Sequence, residues 1–152
     1  MIFIYTDGAS RGNPGPGGYG AVMLYGSLRK ELSEGFRLTT NNRMELLSVI
    51  AALEALKKEG LAVTIYSDSK YVVDAVEKKW VFDWEKKNFK DKKNVDLWKC
   101  FLELYRKHRI KFIWVKGHDS NVENNYCDQL AVTAAQGKHL KIDEGYENFI
   151  KD

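Results

Sequence analysis

The sequence predicts an α/β domain built on a five-stranded mixed sheet, three strands antiparallel and two parallel, with helices on both faces. Two observations predict it. Three strand-like runs come first, joined by short polar turns, and helical and strand-like runs then alternate to the end. At 152 residues and 44% hydrophobic composition, the chain is also the right size for one domain around one core.

The elements follow in order. Residues 2–6 (IFIYT) read as a strand that stops at Asp7-Gly8, and RGNPGPGG after it reads as a loop holding both prolines. Tyr19–Tyr25 is a second strand and Lys30–Thr39 a third. They are antiparallel, because a parallel pair needs a crossover. Asn42–Lys58 is the clearest helix, with Leu46, Val49, Ile50, Leu53 and Leu56 on one stripe. Asn41 or Asn42 can cap it, and Gly60 lies just past its end. Leu61–Ser67 is the fourth strand and ends at Asp68. A helix starting at Ser69 carries Tyr71, Val72, Ala75 and Val76 inward. A basic stretch with Trp80, Trp84 and Phe89 follows. A helix over 96–108 then turns Leu97, Phe101, Leu104 and Tyr105 inward, and Trp98 and Trp114 are expected in the core. Ile110–Val115 is the fifth strand, 116–121 a loop, and Val122–Gln136 the last helix. The polar tail from Lys138 is expected to be poorly ordered.

Composition excludes several classes. No run approaches the roughly 20 apolar residues of a membrane helix, and the first residues lack the features of a secretory signal. Cys100 and Cys127 have no metal-ligand spacing and read as small apolar residues in a reducing, cytoplasmic setting. The net charge is only +3, but Lys78–Lys99 holds eight lysines against four acids. Such a block is either a solvated face or a contact for a polyanion.

Four acids stand where folding does not need them. Asp7 and Asp68 end the first and fourth strands. If these strands are parallel neighbours, both carboxylates emerge at the carboxyl edge, where open α/β sheets place ligands. Glu45 shares the inner face of its helix with Val49 and Leu56. Asp128 borders the apolar stripe of the last helix. Each has an ordinary use taken singly: a turn pair for Asp7-Gly8, a cap for Asp68, a capping box for Glu45 with Asn42, plain exposure for Asp128. Gathered at one edge, however, they repel one another and require protons or cations. Hard oxygen donors without His or Cys suit Mg²⁺ or Mn²⁺, and several carboxylates can hold two such ions roughly 4 Å apart for in-line displacement at phosphate.

Five stretches, YTDGASRGNPGPGGYGAVM (5–23), TTNNRMELLSVIAAL (39–53), YSDSKYV (66–72), KNVDLW (93–98) and WVKGHDSNVENNYCDQLA (114–131), together resemble the type I ribonuclease H family, its bacterial members in particular. The resemblance implies the ribonuclease H-like fold over residues 1–137, with a basic protrusion at about 78–94, and a tail over 138–152. It implies an endonuclease that cuts the RNA strand of RNA–DNA hybrids, leaving 5′-phosphate and 3′-hydroxyl ends. Asp7, Glu45, Asp68 and Asp128 match the family's metal-binding acids, with Asp7 bridging two Mg²⁺ ions, Asp128 on the ion that activates water, and Glu45 and Asp68 on the leaving-group side. His118 matches a loop histidine that assists catalysis or product release. Asn13, Asn41 and Asn42 match residues that read 2′-hydroxyls, the group that separates RNA from DNA. Thr40 matches a contact to a DNA-strand phosphate. Trp80, Lys86, Lys87 and Lys90 fall in the substrate-binding protrusion, which is shorter here than in the best-known bacterial member. Lys70 replaces the family's frequent glutamine; it can hold a phosphate but cannot accept from a hydroxyl. The hybrid is the expected partner and the chain is expected to act as a monomer. The alternatives are another nuclease of this fold, of the resolvase or transposase kind, and a hybrid-binding module without catalysis.

Overall fold

A computed structural model of the chain describes residues 1–151. The elements are β1 (Ile2–Ser10), β2 (Gly15–Tyr25), β3 (Leu28–Thr39), α1 (Asn41–Glu54), β4 (Ala62–Ser67), α2 (Lys70–Glu77), α3 (Trp80–Lys86), α4 (Val95–Tyr105), β5 (Arg109–Trp114), α5 (Val122–Ala135) and α6 (Glu144–Lys151). The sheet runs β3-β2-β1-β4-β5. The β1–β2 and β2–β3 pairs are antiparallel, and β1–β4 and β4–β5 are parallel. This is the predicted mixed sheet, and it makes β1 and β4 parallel neighbours.

Helices cover both faces, and a glycine pair shows how. A Cβ at Gly17 would point at Met44 of α1, whereas one at Gly18 would meet the Ala131 carbonyl of α5. Successive residues of a strand face opposite sides, so α1 and α5 lie across the sheet from each other. On the α1 side, Ile4, Leu46, Val49, Ile50, Leu53, Ile65, Val72, Trp98 and Phe101 form the main core. On the α5 side, Gly18 and Gly20 of β2 and Gly35 of β3 replace side chains with close backbone approach, so α5 sits tight against the sheet.

Several boundaries differ from the sequence reading, each for a physical reason. β1 continues past Asp7 to Ser10, because Gly8, Ala9 and Ser10 pair with Tyr19, Gly18 and Gly17. The expected glycine loop shrinks to residues 11–14, because β2 already begins at Gly15. α1 ends at Glu54 instead of Lys58, since the chain must turn before β4; Gly60, at φ 72°, makes that turn and donates to the Lys107 carbonyl. The basic stretch contains α3, pinned by fully buried Val81 and by Phe89, which is 5% exposed. On α4 the buried stripe is Trp98, Phe101 and Leu102, with Leu97, Leu104 and Tyr105 only partly covered. Trp114, expected in the core, is 42% exposed at the end of β5.

The expected loose tail is docked by charge rather than by apolar burial. Lys141 pairs with Phe36 beside β3. Asp143 accepts from Thr39 Oγ1 at 2.7 Å and from Arg43 Nε at 2.8 Å, and Glu147 accepts two bonds from Arg37. A polar segment can thus be fixed although its hydropathy gives no sign of it. Asp152, the last residue of that tail, lies outside the described residues.

Candidate active site

Asp7 sits inside β1 opposite Gly20, and Asp68 follows the last residue of β4. The parallel β1–β4 register sets Thr6 beside Ser67, which brings the next residue of each strand together. Glu45 arrives from α1 because Gly8 has no side chain. A Cβ there would collide with the backbone of Met44 and Glu45, so β1 and α1 touch main chain to main chain. The Gly8 amide then donates to Glu45 Oε1 at 2.7 Å and to Asp7 Oδ1 at 2.9 Å. Asp7, Glu45 and Asp68 each offer a carboxylate oxygen, all within 4.8 Å of one another.

The ordinary uses of these acids are taken by other groups. Thr40 caps α1 by accepting from the Arg43 amide, which excludes both a cap at Asn41 or Asn42 and a capping box through Glu45. Ser69 caps α2 by accepting from the Val72 amide, so Asp68 is free of that task.

Burial and mutual repulsion shift the titration of the cluster. Desolvation first, then the charge of Asp68, push the Asp7 carboxyl up to about 8, with a further push from Asp128. Burial, then Asp7 and Asp68, hold Glu45 well above the carboxylate range. Asp128, half-buried on α5, stands outside the tight trio but close enough for its charge to act on Asp7. Such a cluster is comfortable only when protonated or neutralised by cations, and an all-oxygen donor set without imidazole or thiolate fits Mg²⁺ or Mn²⁺.

A stability prediction follows from the direction of these shifts. A carboxylate whose folded pKa is raised stabilises the fold below its unfolded value, near 4, and loses that contribution as pH rises through the folded value. Asp96 and Glu147, paired with Arg43 and Arg37, are shifted downward and act only below the ordinary carboxylate range. The melting temperature of the metal-free protein is therefore expected to fall between about pH 5 and pH 8, and 10 mM Mg²⁺ should remove most of that fall. Thermal melts across pH with chelator and with Mg²⁺ check it, and a flat metal-free profile would contradict it.

The remaining predicted residues lie on the flanking loops and helices. His118 is exposed, at φ 56°, on the loop before α5. Its neighbour Gly117 leans on Asp68: a Cβ there would stand 2.6 Å from Asp68 Oδ2. Lys70 places its Nζ 4.9 Å from the Trp114 ring centroid, and Trp114 Nε1 donates to the Asp68 carbonyl at 3.0 Å. Asn13 Oδ1 accepts from the Asn41 amide at 3.0 Å, which ties the β1–β2 connection to the first turn of α1. Asn13 and Asn42 are exposed, and Thr40 and Asn41 are half-buried. Trp80 is 45% exposed at the start of α3, with Lys78 Nζ 5.2 Å from its ring centroid. Lys86, Lys87 and Lys90 are exposed on and after α3. Sequence reasoning missed Gly8, Gly117 and Arg43. The first two make close approaches that only coordinates reveal. The third had a signal, since a long cation on the first turn of an otherwise apolar helix needs partners.

Comparison with known proteins agrees with this fold. The family model described as RNase H matches residues 1–136. The chain is 54% identical over 152 residues to a ribonuclease H of Rippkaea orientalis, covering 97% of this chain and 93% of that one. The solved structure of LC9-RNase H1, described as a type 1 RNase H with the type 2 active-site motif, superposes with a TM-score of 0.82 at 33% identity, over 99% of this chain and 81% of that one. LC11-RNase H1, solved in complex with an RNA/DNA hybrid, gives 0.68 at 26% identity, over 90% and 97%.

Proposed function

Since the chain belongs to the RNase H family, we propose that it hydrolyses the RNA strand of RNA–DNA hybrids, leaving 5′-phosphate and 3′-hydroxyl ends. The observation that carries this reading is the meeting of Asp7, Glu45 and Asp68, from three separate elements, with carboxylate oxygens within 4.8 Å. With Asp128 beside them, these residues would hold two Mg²⁺ ions, or Mn²⁺ in their place. Bound there, the metal would polarise the scissile phosphate, lower the pKa of the attacking water and stabilise the leaving oxygen.

The chain's own groups do the rest. The Gly8 amide fixes the rotamer of Glu45 towards Asp7. Trp114 Nε1 fixes the backbone that carries Asp68. His118, one residue from the Gly117 contact with Asp68, is placed to carry a proton or to ease product release. Thr40 spends a lone pair on the α1 cap, and its O–H remains free to donate to a phosphate. Asn13 spends its carbonyl on the Asn41 amide, and its NH₂ remains free for a 2′-hydroxyl or a phosphate. Asn41 and Asn42 stand next to it as further readers of the 2′-hydroxyl, which gives selectivity for RNA in the cut strand. Lys70, steered by Trp114, meets a phosphate.

No helix among the described residues is long and apolar enough to cross a membrane, and both cysteines are free. Free thiols suit a reducing cytoplasm, where we propose that the chain acts as a monomer. Labelled hybrid, DNA duplex and RNA duplex, each with and without Mg²⁺, test the reading. RNA-strand cleavage of the hybrid in Mg²⁺ is expected. Cleavage of the DNA duplex would indicate a resolvase-like nuclease, and tight binding of hybrid without cleavage would indicate a binding module.

The protrusion gives a separate prediction. Lys86, Lys87, Lys90, Lys92 and Lys93 are all exposed, and Lys92 alone lies over an aromatic ring, with its Nζ 4.8 Å from the Trp84 centroid. Replacing all five with glutamine should raise KM and flatten the salt dependence. The log–log slope should drop by about 0.9, the B-form DNA value, for each phosphate that the variant no longer neutralises. The rate at saturating hybrid should stay near wild type. An unchanged salt slope would reduce the segment to a solvated face.

A further inference from the structure

α5 packs on β1, β2 and β3, and among the described residues no helix covers β4 and β5 on that side of the sheet. Register fixes which side chains this open face carries. Gly20 stands opposite Asp7, and a Cβ at Gly20 would meet the Cys127 carbonyl of α5, so Asp7 and, by alternation, Tyr5 and Phe3 point to the α5 side. In the parallel pairs Tyr5 lies beside Tyr66 and Tyr66 beside Ile113, while Phe3 lies beside Thr64 and Thr64 beside Lys111. The rings are in contact. Tyr5 and Tyr66 stack with centroids 4.6 Å apart and planes at 10°, and Phe3 leans on Tyr66 at 6.4 Å. Neighbouring strands are about 4.8 Å apart, so the stacked pair stands upright across them and the second face of Tyr66 turns towards β5, beside Ile113. Phe3 is 38% exposed, Tyr5, Tyr66 and Ile113 are half-buried, and none of the three rings belongs to the main core.

Charge and position select an occupant. Lys111 and Arg109 are exposed along β5 and form no salt bridge among the described residues. Glu123, whose charge reaches Tyr5 from the first turn of α5, is held by Arg29 at 2.7 Å. The face is therefore aromatic with a positive margin. Rings on adjacent strands of an open sheet give unpaired bases a stacking platform, and cations beside them hold the phosphates. A duplex offers such rings no unstacked base, so the occupant is single-stranded. The platform also runs into the carboxylates. Asp7 stands two residues beyond Tyr5 and Asp68 two beyond Tyr66, roughly 7 Å along each strand. Building on the hybrid reading, we propose that the open β1–β4–β5 face binds single-stranded RNA, the unpaired continuation of the strand that is cut. One base stacks on the free face of Tyr66, Phe3 takes a neighbouring base, and Lys111 and Arg109 hold the phosphates beside them. The chain thereby favours RNA that runs from a hybrid into a single strand.

The test uses hybrids that share one duplex: blunt, with a single-stranded RNA tail at the 5′ or at the 3′ end of the RNA strand, and with a tail on the DNA strand instead. Wild type should show a KM about 5- to 10-fold lower for one of the RNA-tailed hybrids than for the blunt one, as expected for one stacked base. A tail on the DNA strand should bring no gain. Tyr66→Ala should lose the gain and leave KM and kcat on the blunt hybrid unchanged, and Tyr66→Phe should keep it. Tyr66→Ala also removes the stack on Tyr5, so Lys111→Gln, at an exposed position, is run beside it. That variant should melt with wild type, lose part of the gain and lower the log–log salt slope on the tailed hybrid by about 0.7, the single-strand value. If wild type cleaves tailed and blunt hybrids with one KM, if a DNA tail brings the same gain, or if both Tyr66→Ala and Lys111→Gln keep the gain, the proposal falls. If wild type cleaves no hybrid in Mg²⁺, the proposed function itself falls, a result distinct from the others.

Discussion

Replacing Asp7 by asparagine is expected to abolish hybrid cleavage while leaving the fold intact and more heat-stable without metal. The side chain is buried inside β1, keeps its shape in the amide, and loses only its charge. That charge is the one both Glu45 and Asp68 press against. Loss of a single preorganised group at a reacting phosphate or carbonyl already costs about 10²–10³ in rate. A shared metal ligand should cost at least as much, because it weakens binding of the ions as well as their placement. The metal-free protein moves the other way. Removing a carboxylate from a repelling cluster should raise its melting temperature by roughly 2–4 °C for each kcal/mol of repulsion relieved. It should also flatten the fall in stability between about pH 5 and pH 8. Hybrid binding without cleavage, together with this flattened profile, is the expected pair of results. Cleavage near the wild-type rate in a verified preparation would remove Asp7 from the site.

The sequence made some of this legible and hid the rest for identifiable reasons. A mixed sheet could be argued because antiparallel runs and βα alternation leave few topologies, whereas the pairing of β1 with β4 stood only as a condition until the coordinates gave the strand order. The acids Asp7, Glu45 and Asp68 were legible only jointly, since each has an ordinary local use taken singly and it is their gathering at one sheet edge that calls for protons or cations. The extension of β1 and β2 through the glycine-rich stretch was not. Those glycines read as turn formers, whereas Gly17 and Gly18 are strand residues whose missing side chains admit α1 and α5. The docking of α6 was hidden because Asp143, Glu147, Arg37 and Arg43 are far apart in sequence, and a polar tail carries no apolar period to betray its contacts. Trp114 misled for the opposite reason. A tryptophan ending an apolar strand reads as core, but here its ring lies half-open, its indole N–H is spent on the Asp68 carbonyl, and Lys70 packs over it.

Gly8→Ala should do nearly as much damage to activity as Asp7→Asn, and it should do so by sterics alone. The added Cβ has no free space, since it would overlap the Glu45 amide and the Met44 carbonyl carbon and lie 2.8 Å from Met44 Cβ. Both strand and helix are main chain at this contact, so no rotamer change relieves it. Either α1 retreats from the sheet or β1 buckles. Overpacking of a tight core position typically costs about 1–3 kcal/mol, which for a domain of this size lowers the melting temperature by roughly 3–10 °C. The larger effect is at the site. The Gly8 amide is what holds Glu45 Oε1 at 2.7 Å, and a retreat of α1 stretches that bond while drawing Glu45 away from Asp7 and Asp68. A displacement of about 1 Å in a positioning group costs on the order of 10²-fold in rate. Weaker binding of Mg²⁺ or Mn²⁺ by titration calorimetry should accompany the slower turnover, and excess metal should recover part of the rate, which it cannot do for Asp7→Asn. A variant that melts, binds metal and turns over like wild type would show that β1 and α1 do not meet at this residue, and Glu45 would then need another route into the cluster.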